Sequence, residues 1–257
     1  MQSEQSKTNK AAWSYRAYEC WVKKSGSPGE AAQMMLSDPK LFLSRHFEYF
    51  NKIEGKRIIN LLGSSGRKAI PLAILGAEVT VVDISPENQK YAIEVAKEAG
   101  VNLTYIVSDL MELDLDSMKK SFDVVYMEGG ILHYFSDLNR LAEIIFELLD
   151  DSGRLILNDF HPIRKVLKPH NDSFLLEGDY FNDELFYGDV AYKGMFPEEE
   201  QDEFPDCLLR FWNLGEIVTS IASKGLVIKK LVEEPRSDSN RFLPGSFTLI
   251  AYKLEDK

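Results

Sequence analysis

Glycines and acids at the ends of apolar runs are the first residues here whose types and spacing suggest chemistry. Ile58 to Arg67 reads I-I-N-L-L-G-S-S-G-R, an apolar run entering a Gly63-Ser64-Ser65-Gly66 turn with a helical pattern directly behind it. That is a buried parallel strand, a tight turn and a helix whose first N–H groups point away from the sheet, a seat for a nucleotide-like ligand. Asp83 closes the next apolar run and Asp109 closes the one after, L-T-Y-I-V-S-D. A carboxylate after the second strand can accept both hydroxyls of a ribose whose other end reaches the first turn. One after the third can accept from an adenine amino group beside it. Turn and two acids together describe an adenosine site, although strand-end aspartates also cap helices or face solvent.

The elements that position these residues follow from periodicity. After Ile58 the chain alternates strands with helical patterns. Strands are expected at Glu78–Ile84, Leu103–Val107, Phe122–Met127 and Arg154–Asn158, the last preceded by an Asp-Ser-Gly turn. Helices are expected from the Ser85-Pro86 cap to Gly100 and from Asp137 to Leu149. Such alternation implies a parallel sheet with right-handed crossovers. The end breaks the rhythm. A helix at Leu214–Lys224, a strand at Leu226–Glu233, a polar connection with two prolines and a strand at Ser246–Leu254 suit antiparallel neighbours, because a parallel crossover needs a dozen residues or more, usually helical. The expected fold is α/β, doubly wound, with a mostly parallel seven-stranded sheet and a reversed last strand.

Two segments lie outside that repeat. Residues 1–10 read as a frayed polar end. Ala11–Lys24 reads as one amphipathic helix with Trp13, Ala17 and Trp21 on a face. A short helix to Leu36 and another from Asp38-Pro39, burying Leu41, Phe42, Phe47 and Phe50, complete a helical cap over 1–57. Residues 160–213 hold eleven aromatics where about six would follow from the chain-wide 11%, so a folded lobe is expected rather than disorder. Residues 58–159 and 214–257 then form the ligand-binding domain, with 160–213 inserted into it.

The quoted motifs, with V-T-V-V-D-I-S, Y-I-V-S-D-L, F-D-V-V-Y-M-E-G-G-I-L-H-Y-F and L-L-D-D-S-G-R-L-I-L-N-D, resemble the class I S-adenosylmethionine-dependent methyltransferases from about Ile58 to Lys253. The resemblance implies S-adenosyl-L-methionine as cofactor. Gly63, Ser64, Ser65 and Gly66 would approach its methionine part, with Asp83 and Ile84 at the ribose. Asp109 and Leu110 would take the adenine, and Glu128 and Gly129 would border the methionine and the acceptor. The first motif departs from the family pattern: Asn60 stands where an acid is usual, and Leu62 and Ser64 where glycines are. A nicotinamide-dependent oxidoreductase is the competing reading, but Leu62, Ser64 and Arg67 interrupt G-x-G-x-x-G. A catalytically silent adenosyl-binding module is the other alternative.

Methyl transfer from a sulfonium is an in-line displacement, so positioning supplies much of the rate. A base serves only an acceptor that must lose a proton. His133, Asp159 and His161 fall near the C-terminal edge of the sheet, where each could be that base or simply a packed loop residue. Their spacing gives no reason to expect a metal. Tyr15, Tyr18 and Trp21 could fold over the cofactor and attract its sulfonium by cation–π contact; Trp13 and Trp21 read rather as ordinary core, and Tyr15 and Tyr18 equally as either. With the 160–213 lobe they would form a two-sided lid, which favours a small-molecule acceptor.

Composition sets outer limits. With 257 residues, 44% hydrophobic, the chain can bury a large α/β core. No apolar run nears the ~18 residues that span a bilayer, and the polar start lacks a signal-peptide core. With only Cys20 and Cys207 and no disulfide framework, a cytoplasmic protein is expected. Asp172–Asp206 holds twelve acids and one base, equal to the whole net charge of −11. An acidic exterior disfavours nucleic acid. The lobe is then either a solvated acidic face or a mouth selecting cations.

Overall fold

The computed structural model describes residues 2–253 apart from 171–172 and 238–239. Leu254–Lys257, the end of the expected last strand and domain, lie outside the described residues, as does Met1. The chain forms α1 (Gln2–Ser14), α2 (Ala17–Ser25), α3 (Pro28–Ser37) and α4 (Pro39–Leu43) before the sheet begins. Then come β1 (Arg57–Leu61), α5 (Ala69–Ile74), β2 (Glu78–Asp83), α6 (Pro86–Glu98), β3 (Thr104–Val107), β4 (Phe122–Glu128), α7 (Leu138–Leu148) and β5 (Leu149–Phe160). Two short hairpins follow, β6 (Leu167–His170) with β7 (Ser173–Leu176), and β8 (Leu185–Gly188) with β9 (Cys207–Arg210), the latter enclosing α8 (Glu198–Gln201). Finally α9 (Leu214–Ser223), β10 (Leu226–Ser237) and β11 (Asn240–Lys253) complete the chain.

The seven-stranded sheet runs β3-β2-β1-β4-β5-β11-β10. β1 to β5 are mutually parallel, and β11 is antiparallel to both β5 and β10. This is the expected doubly wound order with its reversed last strand. Ile59, Leu61, Val125, Met127, Leu155 and Leu157 pack on one face against α7 and α9; Ile58, Val81, Val124, Tyr126 and Ile156 pack on the other. Both faces are covered, which is why the strands read as near-continuous apolar runs.

Several boundaries differ from the sequence reading, each for a local reason. Residues 2–10 are helical rather than frayed, because α1 docks through amides. Asn9 Nδ2 donates to the Leu208 carbonyl at 3.0 Å and its Oδ1 accepts from Leu208 N at 2.8 Å, as a neighbouring strand would. Gln5 donates to the same carbonyl, and Gln2 Oε1 accepts from Ser136 N. The expected single helix over 11–24 is two, broken at Arg16, which sits at φ 52° beside Glu19 and Glu200. Leu41 is 70% exposed, since α4 stops at Leu43 and a 3₁₀ turn buries Leu43, His46 and Phe50 instead. The expected Asp-Ser-Gly turn is extended and belongs to β5, with a register shift opposite Phe122 and Val124. The polar connection near the C-terminus prolongs the β10–β11 hairpin.

The β1–α5 turn carries the sharpest local constraint. Leu62 and Ser64 adopt φ 52° and 50°, the left-handed region that L-residues enter at a cost of ~1–2 kcal/mol. Three bonds hold them there: Leu62 N to Val82 O at 2.8 Å, Ser64 N to Asp83 Oδ2 at 3.0 Å, and Tyr105 Oη to Ser64 O at 2.7 Å. A Cβ on Gly63 would lie 2.7 Å from both Asn60 and Val81, so that position is closed to side chains. Ser64→Gly should therefore be more stable than Ser64→Ala by about 1 kcal/mol in chemical denaturation, because both lose the hydroxyl and only one relieves the backbone. Equal stability of the two variants would mean that the turn holds no such strain.

Candidate active site

The C-terminal ends of β1 to β4 open into a cavity of about 350 Å³. Gly63, Ser64, Ser65, Asp83, Ile84, Asp109, Leu110, Glu128 and Gly129 all line it. Asp83 is 7% exposed and held by three donors, with acceptor capacity left on Oδ2: Oδ1 accepts from Ser85 N and Asn88 Nδ2, each at 3.0 Å, and Oδ2 from Ser64 N. Burial pushes its carboxyl up, against the pull of those donors. Asp109 caps the following 3₁₀ turn through Met111 N at 3.0 Å. Glu128 Oε1 lies 3.2 Å from Lys68 Nζ. Gly66 is set apart from the cavity lining; a Cβ there would meet Ile70 and Ala92 at 3.0 and 3.1 Å, so its absence lets α5 and α6 pack.

Asn60 explains its own departure from an acid. Its Nδ2 donates to Tyr126 O at 3.1 Å across to β4, where a carboxylate would set two acceptors against each other. Among the described residues its Oδ1 and the Ser64 hydroxyl are both buried without hydrogen-bond partners, and both residues line the cavity. Two orphaned polar atoms beside a glycine cradle are a vacancy of the kind a polar ligand satisfies.

Aromatic residues roof the cavity. Trp13, Trp21, Tyr134 and Tyr192 line it with Ser6, Asn9 and Met195. Trp13 meets the Tyr134 and Tyr192 rings edge-on at 5.8 and 5.4 Å. Tyr192 fixes the roof by donating to Ala12 O and Tyr15 O at 2.9 and 2.7 Å. Trp21 Nε1 donates to Asn88 Oδ1 at 2.7 Å, and Asn88 donates to Asp83, so α2 is bolted to the strand-end acid through one amide. Tyr15 and Tyr18 are directed elsewhere, with hydroxyls on Glu203 and Glu94. The left-handed break at Arg16 divides the expected helix in two, which helical periodicity could not register. Tyr134 follows strand four directly and was legible as part of that loop; Tyr192 carries no local signal at all.

His133, Asp159 and His161 come together, but around a second cavity of about 230 Å³. This cavity is lined also by Leu132, Phe160, Arg164, Lys165, Phe211 and Trp212, so the Gly129–Phe135 loop has one cavity on each side. Asp159 is 4% exposed and clamps that loop, accepting from Ile131 N at 3.0 Å and Leu132 N at 2.8 Å. Burial lifts it to about 6. His133 is pushed down to about 4 by burial and is neutral at pH 7. His161 Nδ1 accepts from Ile163 N at 3.1 Å, and its Nε2 stands 2.7 Å from Glu233. Among the described residues no cluster of three or more His, Cys, Asp or Glu could hold a metal, and no helix is long and apolar enough to cross a membrane. Cys20 and Cys207 are buried and free.

A family model described as a methyltransferase domain matches residues 58–153, which carry the turn and all the strand-end acids up to Glu128. The ubiquinone biosynthesis O-methyltransferase of Rickettsia conorii is 39% identical over 131 residues, 49% of this chain. The matched stretch spans 43% of that relative's length. Among solved structures, an S-adenosylmethionine-dependent methyltransferase from Mesorhizobium loti aligns with TM-score 0.62 at 20% identity, covering 78% of this chain and 92% of that one. Magnesium protoporphyrin IX methyltransferase from Synechocystis, solved with bound SAH, aligns with TM-score 0.61 at 17% identity, covering 97% and 99%. At those identities the structures establish the fold. The chain thus carries, over residues 58–153, a segment that matches a methyltransferase domain, and it shares the fold of these solved structures.

Proposed function

We propose that this protein transfers a methyl group from S-adenosylmethionine to a small-molecule acceptor. The observation that carries the reading is the first cavity, where the β1–α5 turn, Asp83, Asp109 and Glu128 share one space under an aromatic roof. The Gly63–Ser65 turn and Glu128, balanced by Lys68, would hold the methionine end. Asp83 would take the ribose, with Asp109 and Leu110 at the adenine. The bound cofactor brings a methyl group on a sulfonium, transferred by in-line displacement. The chain supplies position and a dry environment: Trp13, Tyr134 and Tyr192 offer ring faces that attract a cation and pack a flat acceptor.

Acceptor size is argued from the roof. It is built from α1, α2 and the 160–213 lobe together, and a space of about 350 Å³ suits small ligands rather than a polymer. The acidic exterior argues the same way, and the Rickettsia relative is named for an O-methylation in ubiquinone biosynthesis. No histidine is among the described residues lining this cavity, so catalysis here is assigned to positioning. Asp159 serves it as a positioning residue by fixing the loop at Ile131 and Leu132. His133 and His161 are assigned to the wall of the second cavity.

Calorimetric titration with S-adenosylmethionine, its demethylated product and NAD(H) tests the reading first. Both sulfur compounds should bind and the dinucleotide should not; binding of neither would sink the proposal. Binding without turnover across a broad small-molecule acceptor panel would favour the silent module instead. Asp83→Ala should weaken the product's affinity by about 1.5–3 kcal/mol, the scale of lost charge-assisted hydrogen bonds. Circular dichroism must show that variant folded, because Ser64 N, Ser85 N and Asn88 lose their acceptor too. Unchanged affinity would place the ribose elsewhere.

A further inference from the structure

The second cavity has features that methyl transfer leaves unexplained. Lys165 Nζ is buried and has no hydrogen-bond partner among the described residues. Two rings flank it, with Tyr180 at 5.4 Å and Phe211 at 5.8 Å from the ammonium. Arg164, the preceding residue, lies 4.1 Å above the Phe160 ring and forms no ion pair among the described residues. In a chain of net charge −11, two adjacent cations turned into one cavity without a carboxylate partner are conspicuous. A buried ammonium that donates to nothing is costly, and an anionic oxygen removes the cost.

The acids nearby are committed elsewhere. Asp159 accepts from the backbone of Ile131, Leu132 and Phe160. Glu233 faces His161, and Glu216 is paired with Arg210 at 3.1 Å. Glu216 and then Asp179 act on Lys165 as charges without a hydrogen bond, and Asp159 acts likewise on Arg164. These negative charges oppose a dianion and permit a monoanion. Beside His133 and His161, the walls Leu132, Phe160, Pro162, Phe211, Trp212 and Ile217 are largely apolar, and about 230 Å³ holds a single ring.

We propose that this cavity binds a single-ring organic monocarboxylate, with the carboxylate on Lys165 and Arg164 and the ring against Phe211 and Trp212. The carboxylate belongs either to the methyl acceptor or to a separate small ligand; the chemistry recognised is the same. Binding at this site does not require the cofactor, so it stands or falls apart from methyl transfer.

The probe is benzoate, titrated calorimetrically into the full chain, with benzamide as neutral isostere and inorganic phosphate as dianion. Benzoate should bind at least tenfold more tightly than either. Lys165→Met should weaken benzoate at least tenfold and, without ligand, raise the thermal midpoint, because it removes an ammonium that has no acceptor. A merely structural lysine would lower that midpoint. Benzoate affinity unchanged in Lys165→Met, or benzamide or phosphate binding as tightly as benzoate, overturns the proposal. Repeating the titration with the demethylated cofactor product present separates the sources. A threefold or larger change marks the acceptor's own carboxylate, and an unchanged affinity marks an independent ligand.

Discussion

The buried carboxylate of Asp83 is the point on which the rest of the site hangs. Taking an ionised carboxylate out of water costs several kcal/mol, and hydrogen bonds to its charged form must offset that. Here three donors come from two different elements. Ser64 N belongs to the β1–α5 turn, Ser85 N to the start of α6, and Asn88 Nδ2 to the first turn of α6, which passes the connection on to Trp21 of α2. One group thus fixes the height of the turn, the origin of a helix and the seat of the N-terminal roof. A ribose arriving there would meet an acceptor whose orientation is already determined, so little ordering remains to be done on binding.

The same bonds account for the atypical turn. The methyltransferase pattern that this turn resembles has glycine where this chain has Leu62 and Ser64, and the backbone keeps the left-handed path that glycine permits. Conformations of this kind persist only where surroundings over-determine them. Val82, Asp83 and Tyr105 supply that determination from β2 and β3, so the side chains changed and the path did not. Asn60 follows the same logic, since an amide can join β1 to β4 through Tyr126 O and a carboxylate cannot.

Sheet order and strand-end acids were legible because they rest on period and length. β1 to β4 fall within two residues of their expected bounds, and Asp83, Asp109 and Glu128 reach one cavity as their positions at strand ends imply. The N-terminal segment was not legible, for a physical reason. α1 buries Gln5, Ser6 and Asn9, and a helix that docks by amides shows no apolar stripe. A left-handed break at Arg16 then divides the segment; Trp13 and Trp21 line the cavity, while Tyr15 and Tyr18 meet acidic partners. Tyr192 lies far from the turn in sequence and joins the roof only through the tertiary fold.

Charge placement completes the account of why two cavities share one loop. Gly129 and Gly130 both have positive φ, and a Cβ on Gly130 would lie 2.4 Å from Phe160, so the loop passes close beneath that ring. Asp159 then holds Ile131 and Leu132 from below. Cavity one receives Ile131 and cavity two receives Leu132, consecutive residues sent to opposite sides of a wall one chain thick. Asp159 ties both residues to the end of β5. The two cavities therefore share one clamp. That follows from the shared carboxylate rather than from any contact between the two spaces.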